Sequence, residues 1–424
     1  MRVAIVGTGI SGLVAARELG GSAELEIFEA GGHVGGHTHT QALEHGGRCH
    51  SIDTGFIVFN ERTYPEFTKL LRELGVASQP SDMSFSVRDE YSGLEWNGRN
   101  LDTIYAQRSN LLRPRFHGMV LDILRFNREA RALLREDGPE IELGLWLERG
   151  RFGRAFREHY LVPMASSVWS AAPGEIERFP ARFLARFFAN HGFLEVDERP
   201  QWLVVRGGSE RYVDALTRPF AGKIRLRTPV VRVERDERGV ELVLGSGERR
   251  RFDQVVFATH SDEALALLAR PTRTEREVLG AIAYQQNEAV LHTDTRLLPR
   301  RRKCWASWNY HVLDERARRP DRVALTYWMN RLQGLECETQ FCVTLNRGDA
   351  VDPKRVLRRI TYQHPCFTLA ALAAQQRWEE ISGHNRSWYC GAYWGFGFHE
   401  DGVKSGQRAA RGLLRERELL EVGG

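Results

Sequence analysis

The chain has 424 residues, 42% hydrophobic and 27% charged, enough apolar material for a large buried core and for roughly two or three domains. Sixty Lys and Arg against 55 Asp and Glu leave a net charge of +5, and the cations are spread along the chain, which argues against a dedicated nucleic-acid binder. Six cysteines with no CxxC pair make neither a disulfide framework nor a zinc ribbon, and no apolar run approaches the ~20 residues of a membrane span. A cytoplasmic protein, soluble or resting on the inner face of the membrane, is the expectation.

Val3-Ala4-Ile5-Val6 reads as a buried strand, with the wrong flanks for a secretory signal. It runs into Gly7-Thr8-Gly9-Ile10-Ser11-Gly12 and a helical pattern to Leu19, closed by Gly20-Gly21. Gly7 permits the turn, Gly9 lets backbone approach a pyrophosphate and Gly12 lets helix pack on strand, while Ile10 and Ser11 open a helix whose unpaired N–H groups suit an anion. A second strand, Leu25–Phe28, ends at Glu29 and Ala30, where an acid suits the two ribose hydroxyls of an adenosine. Strand, helix, strand and acid in one register separate this hexapeptide from a chance match. Gly31 to Thr38 is a second glycine-rich loop, with Gly35-Gly36 followed by His37 and Thr38. The alternating His37 and His39 do not amount to a metal site.

The stretch 105–160 reads as helical, with Val120, Ile123, Leu124, Asn127, Ala130 and Leu134 at helical spacing and arginines between them. A solvated cap over a core is the plainer reading, and a basic surface on anionic lipid the alternative. Gly207-Gly208 turns into another helix, Val230 and Val233 lie on a strand, and Gln254–Thr259 is a further apolar strand. From 266 to 384 the chain is rich in rings and amides: Trp305, Trp308, Asn309, Tyr310, Tyr327, Trp328, Asn330 and His364. Alternation through 285–294 and 322–329 predicts the sheet floor of a pocket, whose rings suit either a hydrocarbon or a core. No pair of acids stands out; Glu158, between Arg157 and His159, reads as a surface acid, and His159 and His364 sit in no metal-ligand spacing.

Taken together these segments resemble the flavin-containing amine oxidoreductase superfamily, which includes monoamine and polyamine oxidases, protoporphyrinogen oxidase and phytoene desaturases. The resemblance implies an α/β fold: a Rossmann-like, glutathione-reductase-type FAD-binding domain over residues 1–60, 200–265 and 385–424. A mixed α+β substrate domain over 61–199 and 266–384 is interleaved with it. It implies non-covalent FAD, held by Gly7, Gly9, Ile10, Ser11, Gly12, Glu29, Ala30, Gly36, His37 and Thr38. Gly55 and Phe56 would pass the flavin ring and the Val230 backbone would hold adenine. Gly402 and Val403, in the turn Gly397–Gly406, would meet the flavin carbonyls at a helix start. Trp169, Tyr327, Tyr393, Trp394 and Phe398 would line the substrate pocket, with no metal.

The chain departs from the family pattern at several places. His37 replaces an arginine near the pyrophosphate, and Gly391-Ala392-Tyr393 stands where many relatives have Gly-Asp or Gly-Thr. Phe398 takes an amine-framing position without its usual hydroxyl. Lys303, inside the cationic run Arg300–Lys303, is a poor match for the lysine that amine oxidases place near flavin N5. The phrases Asp53–Asn60 and Phe398–Gly402 resemble a bacterial group of predicted NAD/FAD-binding proteins associated with cyclopropane-fatty-acid-synthase-like methyltransferases. The implied activity is dehydrogenation or desaturation of a fatty acyl chain or other lipid, by hydride transfer to flavin N5 and without a protein nucleophile. An amine oxidase releasing peroxide and a non-catalytic flavin-binding scaffold of a lipid-modifying complex are the alternatives. The expected partners are a hydrophobic or acyl small molecule and, peripherally, the membrane, with no nucleic acid.

Overall fold

The computed structural model describes residues 1–195, 200–313 and 322–422. Of the expected segments, 196–199, 314–321 and 423–424 lie outside the described residues. Strand β1 (Arg2–Val6) is apolar at every position after Arg2 because both of its faces are covered. Val3 and Ile5 face a layer of helices, whereas Ala4 and Val6 face a second, antiparallel sheet, as the two-residue period of a strand dictates. The strand β2 (Glu24–Phe28) pairs in parallel with β1, and Gln254–Phe257 pairs on its other side. Ile224–Arg225 and Ser387–Tyr389 form the two edges, so one five-stranded parallel sheet gathers strands from three distant stretches of chain.

Four helices share the core on the first face: α1 (Ile10–Leu19), α2 (Pro65–Glu73), Glu210–Thr217 and α3 (His399–Val422). The close fit of α1 and α3 rests on absent side chains, since a Cβ at Gly406 would lie 2.3 Å from the Ser11 carbonyl oxygen. Helix α2 lies beyond the expected boundary at residue 60, yet Phe67, Leu70 and Leu71 are buried with Leu13 and Leu413. The opposite face carries the strands Val230–Asp236, Gly239–Leu244 and Arg249–Phe252. Arg235 and Glu275 form a buried ion pair there, to which the Tyr389 hydroxyl donates at 2.8 Å, joining this sheet to the helix Arg273–Gly280.

The second body is built on a seven-stranded sheet in the order 356–365, 284–292, 342–345, 325–328, 308–312, 85–89 and 95–97. Its pairings are antiparallel except where Trp308–Val312 runs parallel to Phe85–Asp89, which is how the two inserted stretches become one sheet. The strands Tyr284–His292 and Leu325–Trp328 fall within or close to the alternating ranges read from the sequence. Over this sheet lies a helical cap with a phenylalanine-rich core that includes Phe126, Phe156, Phe187 and Phe188.

The helical stretch is interrupted where Gly138 and Pro139 separate Pro114–Arg135 from Leu143–Arg149, because proline cannot supply an interior helical N–H. One residue read as part of its apolar face does not face inward. The first long helix buries Phe116, Met119, Phe126, Ala130 and Leu133, while Leu124 is 53% exposed.

Candidate functional site

A cavity of about 610 Å³ runs from the glycine turn after β1 to the rings of the helical cap. At its first end the backbone forms a cradle. Gly7 has φ +104°, and a Cβ there would strike the Ala258 carbonyl oxygen at 2.7 Å. Gly9, by contrast, lines the cavity, and a Cβ on it would meet no protein atom within 4 Å. Ile10 and Ser11 follow as the first turn of α1, whose opening N–H groups have no intrahelical partner. A Cβ on Gly36 would come within 3.1 Å of the Gly9 Cα, so the second glycine loop closes the cradle.

Glu29 is held in place from two sides. Its Oε1 accepts from the Gly31 N–H at 2.7 Å, and its Oε2 accepts from the Thr8 N–H at 3.1 Å and the Thr8 hydroxyl. Oε1 retains a lone pair for a hydroxyl donor, with Ala30 and Val230 also in the lining. The lining further includes three buried polar atoms without a partner in the protein, His260 Nδ1, Trp308 Nε1 and the Tyr393 hydroxyl. A glycine cradle at a helix start, an oriented acid and orphaned polar atoms along one cavity fit a dinucleotide such as FAD.

The middle of the cavity is built where the start of α3 meets the segment after residue 53. Gly397, Phe398 and His399 line it, as do Gly55 and Phe56. The Asp401 Oδ2 accepts from the Phe396 and Phe398 N–H groups, both at 3.0 Å, and pins this turn. Complete burial pushes that carboxyl up to about 6. His399 stacks on Phe56 with 3.5 Å between centroids, and its Nε2 lies 2.9 Å from the Thr38 hydroxyl and 3.0 Å from that of Tyr212. Burial holds His399 well below the usual histidine range.

Among the residues singled out from the sequence, Gly7, Gly9, Ile10, Ser11, Glu29, Ala30, Gly36, His37, Gly55, Phe56, Val230, Trp169, Tyr327, Tyr393 and Phe398 line this one cavity. Five do not. Gly12 packs α1 on the turn, since its Cβ would lie 2.3 Å from the Gly7 carbonyl oxygen. Thr38 spends its hydroxyl on Tyr212 and His399. Gly402 and Val403 sit in the α1–α3 contact, with a Gly402 Cβ 2.6 Å from Ile10 Cγ2. Trp394 packs behind Tyr393, in the core around Ile282 and Ala371. Gly55 lines the cavity, but its missing side chain serves the protein, because a Cβ there would lie 2.1 Å from the His37 carbonyl oxygen.

The far end is aromatic. Trp169, Phe187, Phe193, Trp202, Trp308, Tyr327, Phe367 and Phe398 surround it, with Met83 and Tyr64. Trp169 lies 4.7 Å from Phe187, which stacks on Phe398 at 5.0 Å, and the Trp169 indole N–H donates to the Phe396 carbonyl at 3.1 Å. Burial raises the Tyr64 and Tyr327 hydroxyls, so both stay neutral. Phe187, Phe193 and Trp202 escaped the sequence reading, and no local motif marks them.

Three histidines line the cavity beside the cradle. The His37 ring lies 5.3 Å from that of His364 and 6.0 Å from that of His260. Burial and mutual repulsion lower His37 to about 4 and His364 to about 3. Among the described residues no group of histidine, cysteine and acid side chains could hold a metal ion. Glu158 is partly exposed and pairs with Arg154, and Lys303 pairs with Asp102 away from the cavity.

Residues 10–301 match the family model described as flavin containing amine oxidoreductase. A Mycobacterium tuberculosis protein named flavin-containing monoamine oxidase AofH is 26% identical over 263 residues, 58% of this chain and 54% of its own. The chain therefore spans about half the length of the curated relatives it matches. Cyclohexylamine oxidase from Brevibacterium oxydans IH-35A is similar in structure at TM-score 0.71 and 17% identity, over 98% of this chain and 99% of its own. A CLA-producing fatty acid isomerase from P. acnes reaches TM-score 0.64 at 16% identity, over 97% and 98% of the two chains. At such identities the likeness to these structures is one of fold.

Proposed function

The chain belongs to the flavin-containing amine oxidoreductase family, and from that premise we propose that it is an FAD-dependent oxidoreductase that dehydrogenates a hydrophobic substrate, a fatty acyl chain or other lipid. The observation that carries this reading is the far end of the cavity, walled by rings and Met83, with no lysine, arginine or carboxylate among those groups. Bound FAD supplies the two-electron oxidation. The chain's own residues bind and orient: Glu29 accepts from the ribose, the start of α1 receives the diphosphate, and Trp169, Phe187 and Phe398 hold an apolar chain and exclude water. Neutral Tyr64 and Tyr327 offer an ammonium group no counter-charge.

Amine oxidation is the second reading, favoured by the family itself and by the pair Trp169 and Phe398, whose rings lie 6.4 Å apart at 60° and could frame an amine. A flavin-binding scaffold without turnover is the third. Contact with a lipid surface would suit the first reading, and exposed Leu111, Leu112, Leu121 and Leu124 support it. No helix among the described residues is long and apolar enough to cross a membrane.

The test is the visible spectrum of the purified protein, before and after anaerobic addition of bacterial lipid extract or of simple amines. Flavin bands bleached by lipid alone are the expected result. Bleaching by amines alone, with peroxide in air, would replace this reading with the second. A flavin that neither class bleaches would favour the scaffold, and a colourless protein that takes up no FAD would remove all three.

A further inference from the structure

A diphosphate needs compensating positive charge, yet no lysine or arginine lines the cavity among the described residues. Tyrosines aside, the ionisable lining is Glu29, Glu263 and four histidines, His37, His260, His364 and His399. Three of these adjoin the phosphate cradle. His37 follows Gly36, which sits against Gly9; His260 follows Ala258-Thr259, whose backbone sits against Gly7; His364 lies beside His37 on the strand Val356–Pro365.

The hydrogen bond of His37 leaves room for a further proton, whereas that of His364 does not. The His37 Nε2 lies 3.1 Å from the Gln363 carbonyl oxygen, which can only accept, so the neutral ring carries its proton there and Nδ1 is free to take another. His364 Nδ1 faces the Asn287 amide nitrogen at 2.9 Å and accepts from it, while Asn287 Oδ1 accepts from Asn346. That places the His364 ring proton on Nε2, and a second proton on Nδ1 would oppose the Asn287 N–H, so His364 serves as a neutral donor. His260 Nδ1 is buried with no partner in the protein.

Other titratable groups close by are few. Tyr284 stacks on His260 at 4.4 Å, and its hydroxyl accepts from the Ser261 N–H. Tyr362 lies 5.3 Å from His37, its hydroxyl bonded to Thr54. The stacked pair His33 and His39 lies beyond Tyr362, and His399 and Asp262 complete the surroundings. The Glu263 carboxylate accepts from the His260 backbone N–H at 3.1 Å, not from its ring.

We propose that His37, His260 and His364 form a proton-gated diphosphate clamp, in which FAD binding draws a proton onto His37 or His260 in place of a fixed cation and His364 donates its Nε2–H. The inference rests on the reading of the cavity as the FAD site. With no anion beside them His37 and His364 are neutral near pH 7, held at about 4 and about 3. A diphosphate attracts the proton and raises the bound-state value above the free one. Between those two values the loaded protein holds more protons than the empty one. Affinity for FAD therefore falls as pH rises through the window and is flat outside it.

Two measurements test this. Free FAD released from the holoprotein is followed by its fluorescence between about pH 4 and about pH 8, with a dissociation constant expected to rise by up to about tenfold per pH unit for each proton linked. Calorimetric titration of FAD into apoprotein, in buffers of different ionisation enthalpy, is expected to show proton uptake. Riboflavin, which lacks the diphosphate, should bind without a pH slope. His37→Arg should keep FAD and lose most of the slope, and His364→Gln should weaken binding by a similar factor at every pH and keep the slope. Saturable FAD binding with no proton uptake and a flat profile overturns the clamp alone, as does a full slope in His37→Arg. Absence of FAD binding at every pH overturns the cofactor reading itself.

Discussion

At Gly9 the missing side chain serves the ligand, whereas at Gly12 and Gly402 it serves the protein. A Cβ on Gly9 meets no protein atom within 4 Å, while one on Gly12 collides with the Gly7 carbonyl oxygen at 2.3 Å. Gly9→Val should therefore fold with nearly unchanged stability and purify without flavin, losing at least ~3 kcal/mol of FAD binding, about a hundredfold. Absorbance in the flavin bands checks it, and a yellow Gly9→Val protein would contradict the cradle.

Asp401 allows a second test at this scale. Its folded value of about 6 lies above the ordinary 3.8, so within that window the folded chain holds a proton that the unfolded chain has released. Its contribution to stability is greatest below the window and falls as pH rises through it. Both N–H donors share Oδ2, so an amide oxygen could keep the two bonds without the charge. Relative to the parent, Asp401→Asn should gain on the order of 2–3 kcal/mol between about pH 4 and about pH 7, read by urea unfolding at each pH. A constant difference between the two proteins would show that burial of this charge costs nothing.

Among the elements, the helix Pro114–Arg135 shows how periodicity can give the right element and misplace part of its face. Its sequence carries apolar residues around much of its circumference, so the spacing selected Leu124, which points outward, along with Ala130, which is buried. Which side faces inward was set by the phenylalanines of the neighbouring helices, and those are remote in sequence. Leu112 (87% exposed), in the turn just before this helix, and Leu121 (67%), on it, are close in sequence to exposed Arg115 and Arg128, the pattern of a surface that rests on anionic lipid. The parent protein should sediment with phosphatidylglycerol vesicles. The double substitution Leu112→Glu and Leu121→Glu should reduce that binding at least about tenfold, since each leucine inserted contributes ~1.5–3 kcal/mol, with stability unchanged within ~0.5 kcal/mol. Equal sedimentation of parent and variant would mean that this face is only a solvated cap.

Across the whole molecule, the cavity is walled by both bodies, from the cradle after β1 to the rings of the cap. A ligand that touches both should stabilise them together. At about a hundredfold excess over its dissociation constant, FAD should add about 2.7 kcal/mol and raise Tm by several degrees. A calorimetric scan that loses one transition early on FAD removal would instead show the bodies unfolding separately. The strand, glycine turn, helix and acid of residues 2–29 were legible in the sequence because they form one continuous strand–helix–strand unit that closes on itself: Gly7 donates to Phe28, and Thr8 holds Glu29. Tertiary structure alone decided that Gly55, Gly402 and Thr38 would be used up against protein groups, and that Phe187, Phe193 and Trp202 would meet Trp169 and Trp308 in one cavity. It also brought His260 and His364 to His37. Each of those outcomes depends on which side of a remote strand or helix faces the cavity, and that is fixed by the packing of distant segments, for which no local spacing carries a signal.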